Sequence, residues 1–311
     1  MKPMPPRPSR WKIRGAGRGA QLHEGHIYER DFFSAGVRAE LLQYLLSLHP
    51  IWEDRFSPNH PPPPGQKQRR LLRPVYWLGN WQFACLDYYR PPHGVDGRCV
   101  RAEPFPPVLA RLVSQVEVRA KDLFEPEDVP PGWHLNTCLV NFYGSRVATG
   151  PDERRVDSAR VGEHRDFEPG PVASISLGER ALFQFVRSQR PGERDAVVSQ
   201  TWLEDSSLQV FGGERWKKHH FHRVQRVEDK GAHRFALHVQ GFETRRVNFT
   251  FRYVPDEHVI PFSQLTRDNA DDVRGYMQEL ARHSAYFARE LQAETIRGHP
   301  TDLPATRTGP R

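Results

Sequence analysis

Between residues 135 and 254 the chain reads as a succession of short β-prone segments separated by glycine and polar turns. They are LNTCLVNFY (135–143), VASISLG (172–178), ALFQFVRS (181–188), SSLQVFGG (206–213), FHRVQRV (221–227), RFALHVQ (234–240) and RRVNFTFRYV (245–254). Strands this short, punctuated this often, bury enough apolar surface only by facing a second sheet, which predicts a double-sheet jelly roll. An aromatic, β-like stretch, PVYWLGNWQFACLDYYRPP (74–92), precedes them. Helical periodicity lies outside this block. In FFSAGVRAELLQYLLSLHP, Val37, Leu41, Tyr44, Leu45 and Leu48 recur at helical spacing, with Ser34 as N-cap and Pro50 as the stop. A second helix is predicted over 105–124 and a third over 268–293, where Val273, Tyr276, Met277, Leu280, Phe287 and Leu291 form one apolar face. The expected class is α+β: a double-stranded β-helix (jelly roll) with flanking helices packed outside it.

The 311 residues suit one large domain, or one and a half. Residues 1–25 read as a disordered basic arm, 26–293 as the domain with its jelly-roll core at about 75–255, and 294–311 as a flexible tail. The proline-rich SPNHPPPPGQKQRR (57–70) reads as a surface loop, either a semi-rigid flap or a tolerated insertion. Of the formal charge of +7, six positive charges (Lys2, Arg7, Arg10, Lys12, Arg14 and Arg18) lie in residues 1–22 with no acid, so the rest of the chain is near +1. The basicity belongs to an arm suited to phosphate contacts or to solubility, and not to a body-wide groove. No run of 18 apolar residues predicts a membrane helix, and the N-terminus lacks the apolar segment of a secretory signal. Three cysteines, Cys85, Cys99 and Cys138, without C-x-x-C spacing fit a reducing compartment. The expectation is a cytoplasmic protein with no membrane partner.

Chemistry enters at GEHRDFEPGPVASISLG, where His164 and Asp166 stand one residue apart just before a β-prone run. Alone, H-x-D decides nothing, since a chain this rich in histidine and acid holds roughly two such triplets by chance. A mononuclear non-haem iron(II) site needs two imidazoles and one carboxylate on one face of the metal. Downstream, GGERWKKHHFHRVQRV offers His219, His220 and His222, with Lys217 and Lys218 beside them. That tract reads equally as an exposed basic surface. In RRVNFTFRYV, Arg246 and Arg252 are six apart, so a strand places both on one face with Asn248 and Thr250. Two inward guanidinia require an anion, and a dicarboxylate suits them; an outward polar face is the other reading.

Taken in order, NFYGS (Asn141, Tyr143), HRDFE (His164, Asp166, Glu168), PVASISLG, FGGERWKKHHFHRVQ (His222) and RVNFTFR (Arg246, Asn248, Arg252) resemble the AlkB-like family of Fe(II)- and 2-oxoglutarate-dependent dioxygenases. The resemblance covers about residues 75–255. It implies Fe(II) as cofactor, 2-oxoglutarate and O2 as co-substrates, and His164, Asp166 and His222 as the catalytic metal triad. It implies Arg246 and Tyr143 at the distal carboxylate of 2-oxoglutarate, Arg252 and Asn141 at the end nearest the iron, and Asn248 in the same pocket. Glu168 matches an acid that contacts the exocyclic amine of a target base. Trp81 and Tyr88 stand in the region of the family's substrate lid, with Trp77 and Tyr89 beside them, and core packing competes with stacking for each. The implied activity is oxidative demethylation of N-alkylated bases in nucleic acid, single-stranded or with the base flipped out, as in alkylation-damage repair. The alternative is a hydroxylase or demethylase acting on a protein or a small molecule with the same core. The chain departs from the family's pattern between Asn141 and His164, where RVATGPDERRVDSARVGE lengthens a connection that is short in close relatives.

Overall fold

The computed structural model describes residues 21–23, 25–90, 99–147, 155–187, 197–225, 237–239 and 241–297. The predicted jelly roll is present. Its larger sheet runs, strand by hydrogen-bonded strand, through Gln21–His23, His26–Glu29, Ser207–Phe211, Val172–Gly178, Phe242–Arg252, Thr137–Val147 and Val75–Leu78, all antiparallel. The smaller sheet orders Val197–Leu203, Ala181–Arg187, His220–Gln225 and Val161–His164. From Val161 onward the chain passes back and forth between the two sheets, which is the double-stranded helix. A third, three-stranded sheet joins Val259–Ile260, Cys99–Arg101 and Asn80–Gln82.

Strand alternation divides the larger sheet into two working faces. On Phe242–Arg252, Val247, Phe249 and Phe251 enter the main core. Arg246, Asn248, Thr250 and Arg252 point the other way, into the space between the sheets. On Val172–Gly178, Ala173, Ile175 and Leu177 join the same core, while Ser174 and Ser176 share the inner face with the arginines. The helices cover the outer face: Ala35–Ser47 supplies Leu41 and Leu45, and Pro107–Leu123 supplies Val108, Leu109, Leu112 and Val116. A smaller cluster seals one end of the interior, with Tyr28, Val172 and Phe211 from one sheet against Phe183, Phe185 and Leu203 from the other.

Several expectations are corrected. Residues 21–23 of the supposed arm form a strand with His26–Glu29, and residues 1–20 lie outside the described residues. The expected 268–293 helix is two, Arg267–Ala281 and Ala285–Arg297, because the Ser284 hydroxyl takes the Phe287 N–H (3.5 Å) and starts a new helix. The second helix carries order to Arg297, into the expected tail, and residues 298–311 lie outside the described residues. The strand Val197–Leu203 was not expected; its mixed exposure shows why its apolar signal is weak. The start of the proline-rich loop, read as a semi-rigid flap or a tolerated insertion, is anchored to the helix Arg267–Ala281: Ser57, Asn59 and His60 all bond Asp272. The lengthened connection after Asn141 continues the strand into a hairpin, Val147 opposite Arg155, with 148–154 outside the described residues. The three cysteines are buried, and among the described residues none forms a disulfide. Among the described residues no helix is long and apolar enough to cross a membrane.

Candidate active site

His164 closes the strand Val161–His164 and pairs directly with His222 on the neighbouring strand, which brings two histidines distant in sequence ring to ring at 4.2 Å. Asp166 follows in the turn, its Oδ2 3.3 Å from His222 Nε2. One ligand atom from each of the three lies within 4.8 Å of the others, an arrangement able to hold a metal ion. The His164 Nδ1–H donates to the Gly162 carbonyl at 2.8 Å, which fixes the tautomer and leaves the Nε2 lone pair for a metal ion. Burial, reinforced by His222, pushes the His164 imidazole down to about 3, so it stays neutral and ligand-ready at any working pH. His222 is held by packing, with its ring stacked 5.6 Å from Phe183 and tilted against Phe211 at 5.0 Å.

Around this trio lies a charged frame. Burial opposes the Asp166 carboxylate, but the Arg252 guanidinium, bonded to Oδ1 at 2.8 and 2.9 Å, and the two histidines hold it well below the usual range. Arg252 also approaches Glu168 at 3.4 Å. Glu168 is buried, and its pKa is raised by that burial. The Lys217 ammonium turns inward and donates to the Glu168 and Gly170 carbonyls, clamping the loop after the metal-binding pair. The basic tract is therefore split: Lys217 and His222 serve the site, whereas Lys218 and His219 are exposed.

Between the sheets, next to the trio, is a cavity of about 70 Å3 lined by Asn141, Tyr143, Arg246, Asn248 and Arg252. The structure thus unites all five residues expected there. Arg246 is 3% exposed, and its Nη2 donates to Ser176 at 3.1 Å. Its Nε and Nη1 have no partner, and its guanidinium lies 4.9 Å from the centre of the Tyr143 ring. A buried guanidinium with unmet donors calls for a carboxylate, so the cavity fits 2-oxoglutarate. Asn248 bonds Ser176 and the Ile175 carbonyl and accepts from Thr250, so it braces the pocket wall. Arg252 reaches the cavity with its guanidinium already engaged by Asp166 and Glu168. Sequence reasoning missed Arg73, which joins this cavity from the end of the proline-rich loop and donates to Asn141 Oδ1 at 2.7 Å.

Above the trio opens a cleft of about 560 Å3. Tyr88, Tyr89 and Trp77 line it, as the lid region implied. Trp81 does not. It is 1% exposed, stacked on Phe83 at 4.1 Å, and its indole donates to Glu53 at 3.0 Å. Its place in the register of Asn80–Gln82 points it into the core, so its expected substrate role is withdrawn. Glu53, unnoticed in the sequence, also accepts from the Trp77 indole and the Ala84 N–H, and burial pushes it up to about 7. Three arginine–aromatic pairs stand around the cleft: Arg55 over Tyr88 (5.5 Å), Arg90 over Phe167 (5.4 Å) and Arg165 over Phe221 (4.4 Å). Phe167, between Asp166 and Glu168, is 51% exposed.

A jelly roll that brings two histidines, an aspartate and a buried, unpaired arginine to one end of its interior is the framework of an oxygenase that spends a 2-oxo acid. The model of the 2OG-Fe(II) oxygenase superfamily matches residues 25–252, and the chain belongs to that superfamily: it is a 2-oxoglutarate- and Fe(II)-dependent dioxygenase. Among solved structures it is similar to OsALKBH1 (21% identity, 75% of this chain and 100% of that chain, TM-score 0.48). It is also similar to YcfD, a ribosomal oxygenase from Escherichia coli with cobalt and 2-oxoglutarate bound (11% identity, TM-score 0.32). That match covers 90% of this chain and 65% of YcfD. No curated protein matches the chain significantly.

Proposed function

We propose that this dioxygenase removes alkyl groups from bases of nucleic acid, presented single-stranded or flipped from a duplex. The observation that carries the reading is the ring of three arginine–aromatic pairs around the cleft directly above the metal-binding trio. Aromatic faces backed by guanidinia stack bases of any sequence, and the arginines attract the phosphate backbone. The ordered AlkB-like motifs support the same substrate class.

In this reading His164, Asp166 and His222 hold Fe(II), and Arg252 keeps Asp166 ionised and oriented. Arg246 and Tyr143 take the distal carboxylate of 2-oxoglutarate, and Asn141 lines the same pocket. Bound Fe(II) with 2-oxoglutarate and O2 supplies oxidation of a C–H bond to C–OH, with release of succinate and carbon dioxide. On an N-methyl group the product is an N-hydroxymethyl group. Its N–C bond breaks with the electron pair passing to nitrogen while the hydroxyl hydrogen leaves as a proton, so formaldehyde departs. A cationic base such as 1-methyladenine becomes neutral with the proton released to solvent, and a neutral base takes the proton on nitrogen. Glu168 faces the cleft beside Asp166, where its carboxyl group meets the amine edge or the positive charge of a methylated base. The exposed Phe167 ring offers that base a stacking face.

The test is aerobic turnover after anaerobic loading with Fe(II), using 2-oxoglutarate and a single-stranded oligonucleotide carrying 1-methyladenine. Oligonucleotide mass and succinate are followed together. Demethylation should accompany succinate, and His164→Ala should lower both by more than about a hundredfold, since loss of even an outer partner of a metal ligand costs 10–100-fold. Succinate without demethylation sinks the nucleic-acid reading and moves the substrate to a protein or a small molecule.

A further inference from the structure

The motifs account for Arg246 and Arg252 but not for a third guanidinium at the same cavity. Arg73 lies just before the strand Val75–Leu78, which pairs with Thr137–Val147 so that Val75 faces Asn141. Its Nε donates to Asn141 Oδ1 at 2.7 Å, and its guanidinium lies 5.0 Å from the centre of the Tyr143 ring. Arg246 stands over the same ring at 4.9 Å. Two guanidinia therefore share one phenol. Among the described residues neither has a carboxylate within ion-pair distance, whereas Arg252 of the same cavity wall is held by Asp166 and Glu168, and Arg245, outside it, by Glu179 and Asp157. Glu53 feels the charge of Arg73, but its oxygens are taken by the indoles of Trp77 and Trp81 and by the Ala84 N–H. Arg73 also lines both the small cavity and the open cleft, so it stands in the wall between them.

We propose that Arg73 is a further co-substrate-binding residue: with Arg246 it forms a two-guanidinium seat, joined through Tyr143, that selects the dianionic 2-oxo acid and walls it off from the substrate cleft. Two like charges over one ring repel each other until an anion enters. A single buried arginine would satisfy one carboxylate; the second cation raises the preference for a ligand that carries a distal carboxylate over one that lacks it. The inference rests on membership of the oxygenase superfamily and is independent of the nucleic-acid reading, because its test needs no substrate other than the 2-oxo acid.

The experiment is calorimetric titration of the full chain loaded with Mn(II), in the absence of turnover, with 2-oxoglutarate and with 2-oxopentanoate, which has the same carbon chain without the distal carboxylate. Wild type should prefer 2-oxoglutarate. Arg73→Gln should weaken 2-oxoglutarate about tenfold or more, as loss of a charge-assisted partner does, and leave 2-oxopentanoate unchanged. Arg73→Lys, which keeps the charge and loses the planar fork, should fall between. If Arg73→Gln does not fold, the Lys variant carries the test through its reduced preference for the dianion. Wild-type affinity for 2-oxoglutarate in Arg73→Gln overturns the proposal. So does an equal loss for both ligands, which marks a wall residue without charge recognition, and so does a wild type that does not distinguish the two acids.

Discussion

Glu53 shows what one buried carboxyl group does to this molecule. It has no solvent exposure, and its two oxygens tie the Ile51–Arg55 segment to Trp77, Trp81 and Ala84, the wall behind the cleft. Burial raises it from an ordinary 4.5 to about 7. A folded-state pKa above the unfolded one means that the folded state holds the proton more tightly. The stabilisation is full below about pH 4.5 and is lost as pH rises through about 7, a cost of roughly 3 kcal/mol for a shift of this size. Glu53→Gln cannot ionise. Its stability deficit relative to wild type should therefore narrow as pH rises from 5 to 8 in urea unfolding followed at several pH values. A gap that stays constant with pH would mean that Glu53 does not titrate in that window. Nothing in WEDRF marks Glu53 for this role, because its partners lie 24, 28 and 31 residues away. His164 and Asp166 were legible for the opposite reason: their chemistry is local.

At the scale of the element, the strand Phe242–Arg252 does the most to place the site. Its register against Thr137–Val147 shifts between Thr244 and Arg246. The extra residue, Arg245, leaves the ladder and bonds Glu179, Asp157 and Ser145, while Arg246 turns into the cavity. Gly144, opposite the shift, allows it: a Cβ there would stand 1.8 Å from the Glu243 carbonyl oxygen. Gly144→Ala should cost about 1–3 kcal/mol of stability, the usual price of overpacking, and should also weaken 2-oxoglutarate binding by displacing Arg246. Chemical denaturation and calorimetry check the two effects; wild-type values in both would remove Gly144 from the account. The even spacing of Arg246, Asn248, Thr250 and Arg252 was readable from the sequence. That spacing put Arg246 on the face of Asn248 and Arg252; the bulge decided that Arg245 leaves the ladder, and it depends on a glycine a hundred residues away.

For the whole molecule, charge is divided between a near-neutral body, a cleft ringed by arginines and a strongly basic N-terminal stretch. If that stretch adds phosphate contacts, removing residues 1–20 should weaken binding of a single-stranded oligonucleotide and flatten its dependence on salt. The slope of log affinity against log salt should fall by up to about 4, since each neutralised phosphate contributes about 0.7 and six charges are lost. Affinity for 2-oxoglutarate should not change. An unaltered salt slope would leave the arm as a solubilising segment and assign phosphate contacts to the cleft alone.

The sequence by itself determined the periodic elements and the chemistry that local spacing carries. Short alternating strands demand a facing sheet, Ser34 starts its helix, H-x-D sets two ligands in one turn, and R-x-N-x-T-F-R sets two arginines on one face. Only the tertiary structure decided which distant groups meet. It chose His222 over His219 and His220 by pairing it with His164, and it buried Trp81 against Phe83 while leaving Phe167 at the cleft. It also carried Arg73 from a loop end to Asn141. The physical reason is that side-chain periodicity is written in neighbouring residues, whereas strand register and burial follow from packing against segments far along the chain.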